Sequence, residues 1–279
     1  MSTTIIAEIG CNHQGNFAIA CDMINEAIRC GVPAVKLQKR DLSSIQNPHR
    51  PYTGPHSFGD TYGEHRAALE FSIDQHIALS RIARTKGAMY GLSVWDEMTL
   101  AQIFASDSGW LDFIKIPSAL ASNVDFIDSA ANTGKPLIIS FGMSTKAQVV
   151  AAGLVALTKN RDTYALQCTS AYPCDNNQIN LRVIPWLKSV LPWAGVGLSG
   201  HHRGIQIDAA AVALGATIVE RHFTLDRTSK GTDHAASLEP HGLAALVRDV
   251  HAVEEAMGTD EKTVLDCERP ALEKLRGTA

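Results

Sequence analysis

Several signatures are missing from this 279-residue chain, and each absence closes off a class of protein. No apolar run approaches the ~18 residues that a membrane span requires, so the hydrophobic segments read as core. No cluster of Lys and Arg is long enough to track a phosphate backbone. With Lys+Arg 25 against Asp+Glu 29 the formal net charge is −4, which argues against nucleic acid as a partner. The six cysteines (Cys11, Cys21, Cys30, Cys168, Cys174, Cys267) form no CxxC pair, and a chain of this size needs no staples, so they read as reduced thiols. Met1 leads straight into Thr3-Thr4-Ile5-Ile6-Ala7 without the basic segment, apolar stretch and cleavage site of a leader, and a cytoplasmic protein is expected. A Ser-centred nucleophile elbow, a Walker loop and an HExxH helix are also absent, which leaves covalent acyl chemistry without support.

What is present is a regular alternation. The 45% hydrophobic and 19% charged fractions are those of an ordinary soluble domain. Strand-like apolar runs fall at residues 4–9, 34–38, 89–94, 112–116, 136–141, 163–168, 195–199 and 217–222. Between them lie helical stretches over Phe17 to Arg29, Asp74 to Lys86, Glu97 to Ala105, Val124 to Asn132, Lys146 to Leu157, Asn180 to Val190 and Ile207 to Leu214, and a final one over about His241 to Met257. Gly31, Gly87, Gly134 and Gly215 each follow a helix, where a left-handed residue ends it, and a strand comes next. Eight strands with crossover helices close a TIM (β/α)8 barrel, which takes roughly 250 residues as one domain, so a single barrel over 1–279 is expected. An open doubly wound sheet is the alternative, but no Gly-rich dinucleotide turn follows the first strand. One connection, 39–72, is longer than the rest and rich in Pro, Gly, His and Tyr, as functional loops are.

In such a barrel the active site forms at the carboxyl ends of the strands, and polar residues stand at nearly every one of these ends. Lys36 and Lys115 lie inside otherwise apolar strands, where a buried ammonium needs an anion. A bound phosphate or carboxylate is one reading, and pairing with an internal carboxylate such as Glu8 or Glu220 is the other. His201 and His222 end neighbouring strands, which brings their imidazoles to one mouth as a divalent-metal pair. Hydrogen-bonded core histidines are the plainer alternative. Asp233-His234 on the following loop offers another ligand or a substrate contact, and Tyr172-Pro173 and Trp95 are candidates for shaping a sugar site.

An ordered set of segments resembles the N-acetylneuraminate (sialic acid) synthase family over about residues 4 to 258. The set runs from Ala7-Glu8-Ile9-Gly10 with Asn12-His13-Gln14-Gly15 and Ala34-Val35-Lys36-Leu37-Gln38 through Thr61-Tyr62-Gly63-Glu64-His65-Arg66 and Lys115-Ile116-Pro117-Ser118. It continues with Gly142-Met143-Ser144-Thr145, Cys168-Thr169-Ser170 with Tyr172-Pro173, Glu220-Arg221-His222-Phe223-Thr224-Leu225-Asp226 and Gly231-Thr232-Asp233-His234. The resemblance implies an aldol-type condensation of phosphoenolpyruvate with a sugar aldehyde, giving a 3-deoxy-2-keto sugar acid and phosphate. It also implies that Lys36, Ser93, Lys115, Ser118, Ser170 and Ser199 surround phosphoenolpyruvate, that His201 and His222 hold Mn2+ or Mg2+, that Gln38, Tyr172 and Asp233 face the sugar, and that the chain forms a homodimer.

The chain also departs from that pattern. The family's further antifreeze-like domain, which lends an arginine to the partner's sugar site, is not expected here, since only about 20 residues follow the last expected helix. Leu120 stands where the family has a glutamate, and Leu cannot move a proton, so Glu64, His65 and His202 are the conceivable substitutes. Ser199-Gly200-His201-His202 replaces Ser-Asp-His-Thr, and Ser170 replaces an Asn. These changes point to a different acceptor sugar, with a binding-only relative as the second reading.

Overall fold

Aliphatic runs separated by amphipathic segments become, in the computed structural model, the staves and outer ring of one closed parallel barrel; residues 3–277 are described. The staves are β1 (Thr4–Gly10), β2 (Ala34–Lys39), β3 (Met89–Val94), β4 (Phe113–Ile116), β5 (Leu137–Ser140), β6 (Thr163–Cys168), β7 (Gly195–Gly200) and β8 (Ile218–His222). Each pairs in parallel with the next, and β8 pairs with β1 to close the ring. The helices are α1 (Phe17–Arg29), α2 (Tyr62–Ala67), α3 (Ile73–Thr85), α4 (Glu97–Ala105), α5 (Val124–Ala131), α6 (Lys146–Lys159), α7 (Val183–Val190), α8 (Gln206–Ala213), α9 (Pro240–Met257) and α10 (Arg269–Arg276). No helix among the described residues is long and apolar enough to cross a membrane.

Three boundaries depart from expectation for local reasons. The helix expected from Asn180 begins at Val183, because Asn180 is left-handed (φ 55) and a 3-10 turn, Asn176–Gln178, precedes it. The long β2–α3 connection contains α2, started by a capping box in which the Thr61 hydroxyl accepts from Glu64 N while the Glu64 carboxylate accepts from Thr61 N. The segment after α9 contains α10, which buries none of its residues and has Pro270 in its first turn.

Side chains alternate between the two faces of a strand, and this divides the core in two. Outward residues join the helices in the larger cluster, which includes Ile5, Ala7 and Ile9 of β1 and Val35 and Leu37 of β2. Inward residues Ile6, Ala34, Phe113, Ile138, Leu166 and Ile218 fill the barrel floor as a separate layer. Two positions further along the same strands, the inward residues are Glu8, Lys36, Lys115, Ser140, Cys168 and Glu220, so period-2 spacing converts an apolar plug into a polar chamber above it. Glycines make room for the bulkiest plug residues: a Cβ on Gly91 would lie 2.1 Å from the Phe113 ring.

Gly91→Ala should therefore displace the Phe113 ring and lower stability by about 1–3 kcal/mol. Urea denaturation should show a lower midpoint with unchanged slope. An unaltered midpoint would contradict the layered packing.

Candidate active site

Four ionisable groups meet on the chamber floor because β1, β2, β4 and β8 each direct one inward. Lys36 Nζ contacts the Glu8 carboxylate, donates to Ser93 Oγ at 2.6 Å, and lies 3.8 Å from Glu220 Oε2. Lys115 Nζ bonds both oxygens of Glu220, at 2.7 and 2.8 Å, and the Ser199 hydroxyl donates to Glu220 Oε1 at 2.9 Å. All four charged side chains are buried, so each depends on its partner for the solvation that water would have supplied. Burial pushes the Glu8 carboxyl up to about 7, against the pull of Lys36 and with help from the neighbouring Glu220 charge. Burial also works on Glu220, but Lys115 and Lys36 outweigh it and hold that carboxyl well below the usual range. The Lys115 ammonium is lowered, first by burial, with Glu220 opposing. The internal pairing weighed from the sequence is thus what the lysines make, and both also face open space.

That space is a cavity of about 390 Å3, a volume typical of small-ligand sites. The eleven residues that the resemblance assigned to phosphoenolpyruvate, the ion and the sugar all line it: Lys36, Gln38, Ser93, Lys115, Ser118, Ser170, Tyr172, Ser199, His201, His222 and Asp233. Among its walls, Ser140 Oγ, Trp95 Nε1, Arg40 Nε and His222 Nδ1 are buried without a hydrogen-bond partner. Unpartnered polar atoms of this kind are scarce in folded interiors, and their convergence on one cavity points to a polar ligand. On the β4–β6 side, Gly142 N donates to Ser118 Oγ at 3.0 Å. A Cβ on Gly142 would come within 2.3 Å of Ser170 Oγ and 2.7 Å of Ser118 Oγ, so only glycine lets these hydroxyls converge into a cradle.

The two histidines meet as their strands require, with ring centroids 5.4 Å apart, and Tyr172 packs 4.0 Å from the His201 ring. His201 Nδ1 lies 2.9 Å from Thr169 O; donation there leaves Nε2 with its lone pair. Burial lowers the His222 pKa to about 4, and Asp233, whose Oδ2 is 3.9 Å from His222 Nδ1, only partly offsets it. His222 is thus held neutral, as a divalent ion needs, whereas at His201 burial is outweighed by Cys168 and the Thr169 carbonyl, which raise the pKa of that ring. No three His, Cys, Asp or Glu side chains among the described residues form an ion cage. An ion here would take two imidazoles and fill its remaining positions from substrate or water, as open catalytic sites do.

The substitutes considered for the glutamate absent at Leu120 separate cleanly. Leu120 packs against the hydrophobic core. Glu64 is exposed and caps α2, while His202 is enclosed behind the barrel beside Asp208 and Arg221. His65 alone of the three lines the cavity, accepting from Phe58 N at 3.2 Å, and burial together with Arg66 and Arg40 lowers its pKa to about 4. His234 turns away to bond Thr224 Oγ1 at 2.7 Å. Arg40 and Arg66 also line the cavity; neither was foreseen, because one lies just past a strand and the other on a loop helix without periodicity.

A closed (β/α)8 barrel with a polar chamber at the carboxyl ends of its strands defines an enzyme of the TIM-barrel class. The chain belongs to the NeuB family, whose model matches residues 23–262. It is 44% identical to human N-acetylneuraminate-9-phosphate synthase, over 97% of this chain and 76% of that one. It is also 31% identical to N,N'-diacetyllegionaminic acid synthase of Legionella pneumophila, over 97% and 77%. The structure of N-acetylneuraminic acid synthetase from Leptospira borgpetersenii superposes with a TM-score of 0.85 at 28% identity, covering 100% of this chain and 94% of that one. The chain is accordingly a sialic acid synthase-like enzyme, a transferase of carbohydrate biosynthesis.

Removing Glu220 alone leaves Lys115 buried without its counter-charge, so Glu220→Gln should cost about 3–5 kcal/mol. Glu220→Gln/Lys115→Met should lose less than the single variant, and equal losses in chemical denaturation would argue against the pair. His65 should titrate near 4 by NMR, and Arg66→Met should raise that midpoint toward the ordinary histidine value. Because the folded pKa is depressed, the linked stability is present above about 6.5 and is lost as pH falls toward about 4.

Proposed function

We propose that this enzyme condenses phosphoenolpyruvate with a sugar aldehyde, with a divalent ion, Mn2+ or Mg2+, bound at His201 and His222. The observation that carries the reading is the convergence of Lys36, Lys115 and the Ser118–Gly142–Ser170 cradle on one buried chamber with unpartnered polar atoms. Relatives named as sialic, legionaminic and pseudaminic acid synthases support the same reaction class.

In the step proposed, C3 of the enol attacks the aldehyde carbon and forms the new C–C bond, leaving positive character at C2. Water adds to C2, and collapse of that adduct breaks the C–O bond to phosphate. Lys36, Lys115, Ser93, Ser118, Ser170 and Ser199 are the groups assigned to the enol phosphate and its carboxylate, where fixed donors in a low-dielectric site need no reorganisation as charge shifts. Holding both partners in one chamber supplies the orientation that a bimolecular step lacks. Gln38, Tyr172 and Asp233 are assigned to the acceptor.

Protons must also move, because the new alkoxide gains one and the attacking water loses one. Glu8, poised at about 7 on the floor, holds or releases a proton at neutral pH, which Leu120 cannot do. When bound, the ion polarises the aldehyde or activates the water.

Phosphate release from phosphoenolpyruvate should appear with aldoses, N-acetylated hexosamines or their phosphates in the presence of Mn2+ or Mg2+. Lys115→Met should slow it by at least about 100-fold, the typical effect of deleting one preorganised charge donor. No acceptor-dependent release across that panel would overturn the reading.

A further inference from the structure

The loop that carries Asp233 is held by hydrogen bonds that run back to the first strand. Asn12, just past β1, is buried, and its Nδ2 donates to Phe223 O at 2.9 Å and to Ser237 Oγ at 2.9 Å. Ser237 is buried as well, and its hydroxyl donates onward to Asp233 O at 2.8 Å. The direction of this relay is fixed by its ends. Phe223 O can only accept, so the nitrogen of the Asn12 amide must face it. A serine hydroxyl has one hydrogen, so giving it to Asp233 O leaves the oxygen to accept from Asn12. Both amide hydrogens of Asn12 are thereby used on the segment that follows β8.

Backbone bonds join the same region. Leu238 N donates to His222 O at 2.8 Å, Thr224 N donates to Leu238 O at 2.9 Å, and Phe223 N donates to Glu8 O at 2.8 Å. Asn12 therefore stands where β1, the end of β8 and the loop meet. Asp233 opens the 3-10 turn His234–Ala236, and its carbonyl accepts from Ala236 N at 3.2 Å in addition to Ser237. Its carboxylate lines the chamber, where Thr232 Oγ1 donates to Oδ1 at 2.9 Å and Oδ2 lies 3.9 Å from His222 Nδ1. Fixing the carbonyl fixes the backbone at 233 and with it the direction in which the side chain leaves the loop. A connecting loop is otherwise more mobile than the strands beneath it. Misplacing a positioning group by about 1 Å can cost on the order of 100-fold in rate.

Resting on the assignment of Asp233 to the sugar made above, we infer that Asn12 and Ser237 are positioning residues for the sugar site. They aim the Asp233 carboxylate into the chamber and act through it. Asn12 also lines the chamber, so the test must separate action through Asp233 from direct contact with substrate.

The probe is whichever sugar of the panel above has the lowest KM in the phosphate-release assay. Asn12→Asp, nearly isosteric but without the two donated bonds, and Ser237→Ala should each raise KM for that sugar about tenfold, the effect of one lost hydrogen bond. KM for phosphoenolpyruvate should stay within about twofold, because its assigned groups lie on other strands. In an Asp233→Ala background neither change should raise the sugar KM further, since residues that act through one group are not additive. Ser237→Ala removes a single hydroxyl and keeps the comparison open if Asn12→Asp folds poorly. An unchanged sugar KM in Ser237→Ala, equal rises for both substrates, or a full tenfold rise on top of Asp233→Ala would overturn the inference and leave the synthase reading standing. Absence of phosphate release with every sugar in the wild type would remove the synthase reading and this inference with it.

Discussion

The Glu220 carboxylate, bonded by Lys115 through both oxygens and approached by Lys36, is the interaction on which the chamber depends. Two ammonium groups cannot lie side by side in a barrel interior without an anion between them, because the low dielectric that strengthens attraction strengthens repulsion equally. With Glu220 ionised and Ser199 donating to it, the positive groups are held at fixed positions and the floor remains nearly neutral before any substrate enters. The second carboxylate, Glu8, is raised to about 7 chiefly by burial, with Lys36 opposing and the Glu220 charge adding to the rise. One floor thus holds a permanently ionised carboxylate and one that exchanges a proton near neutrality, a separation of roles typical of acid–base sites.

Above that floor the chamber is differentiated by the elements that build it. Strand-borne hydroxyls and Gly142 make a tight cradle on one side, while the arginines on the other side come from the end of β2 and from α2 in the long connection. Rigid strands hold the cradle at fixed positions, whereas a wall borne on a connection is the part of such a barrel most open to variation. Placing Arg40 against Trp95 and Glu70 fixes its guanidinium without using all of its donors.

The departures from the family pattern also acquire physical meaning. Leu120 belongs to the packing of the core, and Glu8, raised to about 7, is a floor group able to exchange a proton near neutrality. His202 does not join the chamber: with Asp208 and the carbonyl of Gly204 it surrounds the fully buried Arg221 guanidinium behind the barrel. A histidine beside a candidate ligand is therefore a structural partner of the next strand, and adjacency in sequence was no guide because successive strand residues face opposite sides.

The sequence by itself determined the eight staves, most helix limits and the residues that face the chamber, because apolar runs of strand length, caps and period-2 alternation are local properties carried by neighbouring residues. Lys36, Lys115, His201 and His222 were legible for the same reason, each standing at or near the carboxyl end of an apolar run. Which ions pair was decided only by closure of the barrel: Lys115 and Glu220 are 105 residues apart, and the choice between an internal partner and a ligand rests on distances that no spacing encodes. Arg40 and Arg66 entered the chamber through the path of an irregular connection, where backbone direction is set by tertiary contacts and has no period to read.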